Sequence, residues 1–503
     1  MQPISEIENE NKILKDEITR LNSIILLLKR SHFGSKSERV EEIPAEQMVF
    51  NEIEFEAPNA EEEKQTVIYE RKKGRGKKKP FPKDTHREEV IIDLPEDQKL
   101  CPHDGTKLKE IGEEVTEKLK SVPARISILV ERKKKYICPC CESFMAQAQS
   151  HSILPKTIAT PELLSFIVFS KFFQSLPLYR ISELFKLNGI ELKRGTMARW
   201  LILVSEKLVP IWNILEEKVF ESGYMCIDAT HVQVLKEEGR DPKTKSFMWA
   251  RGSPEKGIVL FDYDPQGGGA VAKRLVTGFQ GALQADAHRG YNALDRGQIH
   301  LLGCMMHARR RFHNAWLIGG KKPGLAADGI KMLKFIYDKE EEYKNKNLTP
   351  EKRKEWRDKE VDPSLEVIKN WCLIQKEKVL PSSPISNALN YFINEYTELT
   401  AFLKDGRYEI DNGWVERTIK RFAIGRKNWL FSDTVDGAKA SSILYSLTLT
   451  AKLNDKDPFV VLAEILKKLP MAKTIDDYEQ LANLLLSERN PNSCKKKEGA
   501  MIQ

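Results

Sequence analysis

Three acidic residues stand out for the chemistry they could perform: Asp228, Asp286 and Glu416. Magnesium-assisted phosphoryl transfer needs hard oxygen donors, with two or three carboxylates holding the ion while water and substrate phosphate complete its shell. Asp228 interrupts the apolar run Met225-Cys226-Ile227, where an unpartnered charge is costly. Asp286 falls near the end of GALQADA (281–287). Glu416 lies in DNGWVERTIKRFAIGRKNWLF, four residues from both Asn412 and Lys420, so the three share one helix face. Arg417, Arg421, Arg426 and Lys427 surround it with phosphate-seeking cations, and Trp429 and Phe431 add aromatic surface. Taken singly, each acid has a plainer reading as a surface or turn residue. Their joint order and setting favour a metal site.

A second constellation is soft. Cys101-Pro-His103-Asp104 and Cys138-Pro-Cys140-Cys141 flank a spacer holding the strand-like run Ile126–Val130. Cys138 and Cys141 have zinc-ligand spacing, and Cys101 with His103 would complete a tetrahedral site. Asp104 stands where another cysteine would give four thiolates, so a small metal-free knuckle is the alternative. Clustered cysteines in a chain that opens without an export signal favour metal over disulfides.

The elements that must position the acids follow from patterning. YMCIDATHVQVL, SFMWARG and GIVLFDYD read as three strands, Gly268–Phe279 as a helix, and GALQADA as a fourth strand. A helix-like stretch and a fifth strand, IHLLGCMM, come next. This order predicts a ribonuclease H-like α/β domain over 221–435, with the first and fourth strands adjacent so that Asp228 and Asp286 converge. Upstream, LYRISELFKLNGIELKRGTMARWL reads as helix, Gly189 turn and a second helix from Arg194. That is the outline of a helix-turn-helix within a helical domain over 151–220, a form shared with plain helical bundles.

Ile4, Ile7, Asn11, Leu14, Ile18, Leu21, Ile25 and Leu28 alternate steps of three and four, predicting a coiled coil within 1–40 and a homodimer. A charged linker (41–95) follows, with nine glutamates between Glu41 and Glu63 and seven basic residues in Arg71–Lys79. Its GRGKKKP arm, with Arg75 and Lys77, suits a DNA minor groove. Residues 96–150 form the zinc-finger-like module, and 436–503 a C-terminal helical element and tail. At 503 residues the chain exceeds one core; 41% hydrophobic and 31% charged residues exclude the disordered and membrane classes. Charges recur from Glu6 onward, predicting a cytoplasmic protein without membrane association.

These motifs together resemble the transposase family of bacterial insertion sequence 66. The resemblance runs through SHFGSKSER, CPHDGTKL … KYICPCC, SLPLYR … LNGIELKRGTMARW, YMCIDATHVQVL, GFQGALQADAHRGY, GCMMHARRRF, DNGWVERTIKRFAIGRKNWLF and SSILYSLTLTAKLNDKDPF. It implies a DDE catalytic domain carried by Asp228, Asp286 and Glu416, using two Mg2+ or Mn2+ ions to cleave and join DNA. Double-stranded DNA, both terminal inverted repeats and target, is the implied partner, with accessory proteins of the same element. The gap before Glu416 implies a helical insertion at about 315–405. Cys304 and His307 resemble a Cys-or-Asp-x-x-His pair found after the second carboxylate in many such transposases, which implies a structural, buttressing role in preference to direct metal ligation, and Arg309 to Arg311 would meet phosphates. The chain departs from the family where Ala229-Thr230 replaces a common Glu-Thr. A catalytically silent DNA-binding descendant and a nuclease without strand transfer are the competing readings.

Overall fold

The computed structural model describes residues 126–132, 135–137, 145–147, 152–155, 157–286, 291, 294 and 297–487. The coiled coil, the linker with Arg75 and Lys77, and the zinc candidates Cys101, His103, Cys138 and Cys141 lie outside these described residues.

Ile126–Val130, expected as a strand, is coil, with Ile128, Leu129 and Val130 exposed. A strand needs a partner for its backbone groups. Pairing occurs further along, where β1 (Lys135–Ile137) meets β2 (Met145–Gln147) antiparallel, Tyr136 opposite Ala146.

Helix α1 (Pro161–Val168) starts at Thr160, whose side chain accepts from the Leu163 amide, and runs into a π-turn over Phe169–Phe173. The expected helix, glycine turn and helix follow as α2 (Leu178–Leu187), Gly189 at φ 75°, and α3 (Arg194–Glu221). Ser182 Oγ donates to the Leu192 carbonyl at 2.6 Å and closes the turn.

Strands β3 (Tyr224–Lys236), β4 (Lys245–Ser253) and β5 (Ile258–Asp264) form an antiparallel meander. Helix α4 (Gly269–Leu275) then leads to β6 (Gly281–Gln284) and β7 (Ile299–Leu302). The sheet order is β5-β4-β3-β6-β7, with β3–β6 and β6–β7 parallel. The first and fourth strands of the domain are therefore neighbours, as expected. The short β8 (Ser432–Thr434) pairs with the far end of β3.

IHLLGCMM divides into two elements. β7 stops at Leu302, and Met305 begins α5 (Met305–Ile318). Gly303 makes the break, donating its amide to the Glu398 carbonyl at 2.8 Å, and an added Cβ there would lie 3.0 Å from the Leu399 nitrogen. A run of helices opens with α5, ahead of the expected insertion at about 315–405. It continues as α6 (Leu325–Asn345), α7 (Pro350–Trp356), α8 (Asp362–Lys376), α9 (Pro384–Asn394) and α10 (Tyr396–Thr400). Met305, Phe312, Leu333, Ile336, Leu365 and Phe392 belong to its own buried core. Beside that core, buried Glu340 accepts from Arg353 and Arg357, and Arg353 also reaches Glu409.

Helix α11 (Gly413–Trp429) returns to the sheet, and α12 (Val435–Leu453), α13 (Pro458–Lys468) and α14 (Ile475–Leu484) follow. α12 lies along the outer edge of β5. Its Ser446 and Thr450 hydroxyls bond the Phe261 and Val259 amides at 2.7 and 3.1 Å, satisfying groups that an edge strand leaves bare. The helices of 151–220 and 436–487, read from sequence as separate pieces, pack on one another, α3 against α12 and α14, and α1 against α13. Among the described residues, no helix is long and apolar enough to cross a membrane.

Candidate active site

Strand register decides which acids can meet. Asp228 pairs opposite Ala250 and Ile227 opposite Arg251, so the two residues point to opposite faces. Buried Arg251 reaches Glu216 of α3 and Asp262, the latter at 2.9 Å, so α3 covers the Ile227 face. Asp228 therefore faces away from α3. Cys226 pairs with Gln284 in the parallel β3–β6 register. Asp228 lies two residues further along β3, and Asp286 lies two residues past Gln284, where β6 ends, so the parallel pair carries both acids to the same end of the sheet.

The third acid arrives on α11, which packs on β3 and β4. Asn412, at the N-cap, is buried; its Nδ2 donates to the Ile227 carbonyl at 2.9 Å and its backbone amide to Cys304 Sγ at 3.3 Å. These bonds fasten the start of α11 to the residue before Asp228, and Glu416 sits in the first turn. Its carboxylate is also placed at the positive end of the helix dipole.

The electrostatics agree with this convergence. Burial pushes the Asp228 carboxyl up to about 7, and the carboxylates of Asp286 and Glu416 push the same way. The Ala229 amide, which donates to Asp228 Oδ1 at 2.7 Å, and the Arg310 guanidinium oppose them. Arg310 Nη2 stands 3.6 Å from Glu416 Oε2, and His307 Nδ1 stands 3.8 Å from Glu416 Oε1. Burial and the neighbouring Arg310 lower the His307 pKa, which keeps the ring neutral at physiological pH. Burial pushes the Cys304 thiol up to about 12.

The cations fall into different settings. Arg194, Arg417, Lys420, Arg421 and Lys427 are exposed, Arg421 lying 5.9 Å from the Phe173 ring centre. Arg309 and Arg310 are partly buried on α5. Arg426 is partly buried as well, and donates to Thr230 Oγ1 at 3.3 Å, two residues beyond Asp228.

Three contributors escaped sequence reasoning. Buried Tyr291 lies close enough to Asp286 and Asp228 that, after burial itself, both carboxylates raise its pKa. Its signal was proximity, five residues after Asp286. Asp411 accepts from Tyr337 of α6 at 2.8 Å and caps the Gly413 amide at 2.8 Å. Lys171, on the π-turn, stands 5.3 Å from the Trp429 ring, and burial lowers its pKa to about 8. No spacing in the sequence connects Asp411 to Tyr337 or Lys171 to Trp429.

The family model described as Transposase IS66 family matches residues 156–440, from the helical layer through the sheet, the insertion and α11. The chain belongs to the IS66 transposase family. Two further models of IS66-type transposases match ahead of that region. One, described as Transposase C of IS166 homeodomain, covers 20–90; the other, the zinc-finger binding domain of transposase IS66, covers 98–142. Among relatives, the uncharacterized protein y4jD of Sinorhizobium fredii is 31% identical over 80% of this chain and 80% of its own length. The uncharacterized proteins y4hP and y4qI of the same strain are each 27% identical, over 90% and 95% of this chain and 86% and 91% of their own lengths. The IS66 domains imply DNA binding and are consistent with metal use.

Proposed function

We propose that this protein is a DNA transposase that cleaves and joins DNA strands at a carboxylate-held metal pair of Asp228, Asp286 and Glu416. The observation that carries the reading is the gathering of two other acids about Asp228. Strands β3 and β6 run side by side toward Asp228 and Asp286, Asn412 fastens the start of α11 to the Ile227 carbonyl, and both Asp286 and Glu416 raise the Asp228 pKa. A partly buried cluster of like charge formed from hard oxygen donors fits divalent magnesium or manganese. The strand order β5-β4-β3-β6-β7 supports a ribonuclease H-like assignment, with the helices α5–α10 as its insertion.

When bound, two such ions would activate the attacking oxygen and stabilise the leaving one. The chain's own residues do the positioning. Asp228 on β3 and Asp286 just past the end of β6 supply oxygens, and Asn412 holds α11 so that Glu416 approaches from the helix side. Arg309, Arg310, Arg417, Lys420, Arg421, Arg426 and Lys427 present positive charge to the phosphates of the DNA backbone. Arg194, at the start of α3, and the basic arm with Arg75 and Lys77 add contacts outside the centre. Cys101, His103, Cys138 and Cys141 form a zinc site in the matched finger region, and the N-terminal coiled coil pairs two copies. Terminal inverted repeats and target DNA are the substrates, and accessory proteins of the element are further partners.

Asp228→Asn, Asp286→Asn and Glu416→Gln are each expected to abolish magnesium-dependent cleavage of element ends while end binding persists in a gel-shift assay. Retained cleavage in any one of them removes that residue from the centre. Cleavage without joining of pre-cut ends to a target duplex would reduce the function to that of a nuclease.

A further inference from the structure

Glu416 has a second donor set beside it. Cys304, at the N-cap of α5, and His307, one turn on, lie so that one ligand atom from each of Cys304, His307 and Glu416 falls within 4.8 Å of the other two. A sulfur, an imidazole nitrogen and a carboxylate oxygen make a zinc set; magnesium takes oxygen throughout. Among the described residues, buried His307 Nδ1 has no hydrogen-bond partner, and at 3.8 Å from Glu416 Oε1 it is beyond hydrogen-bond reach; the other ring nitrogen, Nε2, lies 3.4 Å from Arg310 Nη1. The Cys304 sulfur receives the backbone amide of Asn412 at 3.3 Å, while the His307 amide donates to the Cys304 carbonyl at 3.1 Å. An outer-shell donor such as the Asn412 amide orients a ligating thiolate.

We propose that Cys304, His307 and Glu416 form a zinc-binding site that competes with the catalytic magnesium pair for the Glu416 carboxylate. Ligand atoms around tetrahedral zinc stand about 3.5 Å apart, given Zn–N near 2.0 Å and Zn–S near 2.3 Å. The observed spread closes to that value by side-chain rotation, with the thiol proton released to solvent on ligation and a water in the fourth position. An oxygen engaged in this way is withdrawn from Asp228 and Asp286. The inference builds on the proposed role of Glu416 but is tested without DNA.

Full-length protein is equilibrated with zinc and excess magnesium, and bound zinc per chain is measured by elemental mass spectrometry. Any zinc held near Cys138 and Cys141 is common to all variants and cancels in the comparison. Wild type should retain about one more zinc than Cys304→Ser or His307→Ala, and cobalt substitution should show a weaker thiolate charge-transfer band in Cys304→Ser. Raising magnesium should displace only the extra ion. Glu416→Gln, which preserves side-chain shape, replaces either variant if its circular dichroism shows unfolding. Equal zinc content in wild type and the folded variants overturns the site, and zinc retention indifferent to magnesium overturns the competition. Either failure leaves the cleavage test of the three carboxylates standing, and loss of that reading leaves the zinc count unchanged.

Discussion

With Asp228 as the proposed metal ligand, protons should compete with divalent cations for its carboxylate below pH 7, because burial and two neighbouring acids hold its pKa near that value. Metal affinity should therefore fall about tenfold per unit once pH drops well below 7, measured by calorimetric magnesium titration. A linked effect on stability follows. The folded-state pKa is about 7 and the unfolded value about 3.9, so between them the folded state holds more protons than the unfolded state. The stability contribution is complete below about pH 4 and is lost as pH rises through 7. Without metal, Asp228→Asn should be more stable than wild type by about 1–2 kcal/mol at pH 8, allowing for partial exposure, and equal to it near pH 4. Urea unfolding at the two pH values tests this; a constant difference would contradict it. Asp228 was legible in sequence because a charge inside Met225-Cys226-Ile227 demands a reason. Asp411 was not legible, since its partner Tyr337 sits on α6 of the insertion.

At the scale of elements, alternation and apolar runs made β3, β4, β5 and β6 readable, because each buries one or both faces of a sheet. Ile126–Val130 has the same composition but no ladder partner among the described residues, and composition cannot supply one. The entry into β6 rests on Gly281, at φ 136°, where an added Cβ would lie 2.2 Å from the Gly223 carbonyl oxygen. Gly281→Ala should cost about 2–3 kcal/mol in urea unfolding and disturb the strand that leads to Asp286. At the other side of the site, Asn412→Ala leaves the buried Ile227 carbonyl without its 2.9 Å donor. The expected loss is about 1–3 kcal/mol, with cleavage reduced more than DNA binding because Glu416 loses its anchor. Unchanged cleavage would show that α11 is positioned by its packing alone.

Across the whole molecule, the sequence divided the chain more finely than its packing does. The expected boundary at 220 falls where α3 ends, yet α3 is buried against α12 and α14, so long-range contacts unite segments that periodicity alone reads as independent. The helices from α5 to α10 carry a core of their own and a buried ionic cluster around Glu340. Glu340→Gln would leave the Arg353 and Arg357 guanidinium groups under-compensated, Arg357 being fully buried, and should cost about 3–5 kcal/mol. Removing the exposed Lys334–Asp338 pair should cost about 0–1 kcal/mol. Equal effects on the denaturation midpoint would mean that the cluster is not structural.

The long spacing before Glu416 would also set the order in which the proposed centre is assembled. Glu416 lies about 130 residues beyond Asp286, so at roughly 10 residues per second a ribosome releases it more than ten seconds after the strands that hold the first two acids. During that interval the nascent polypeptide displays two acids and no third. Translation that halts between Asp286 and Glu416 yields a product without Glu416, and so, on the proposed function, without a complete centre for cutting DNA.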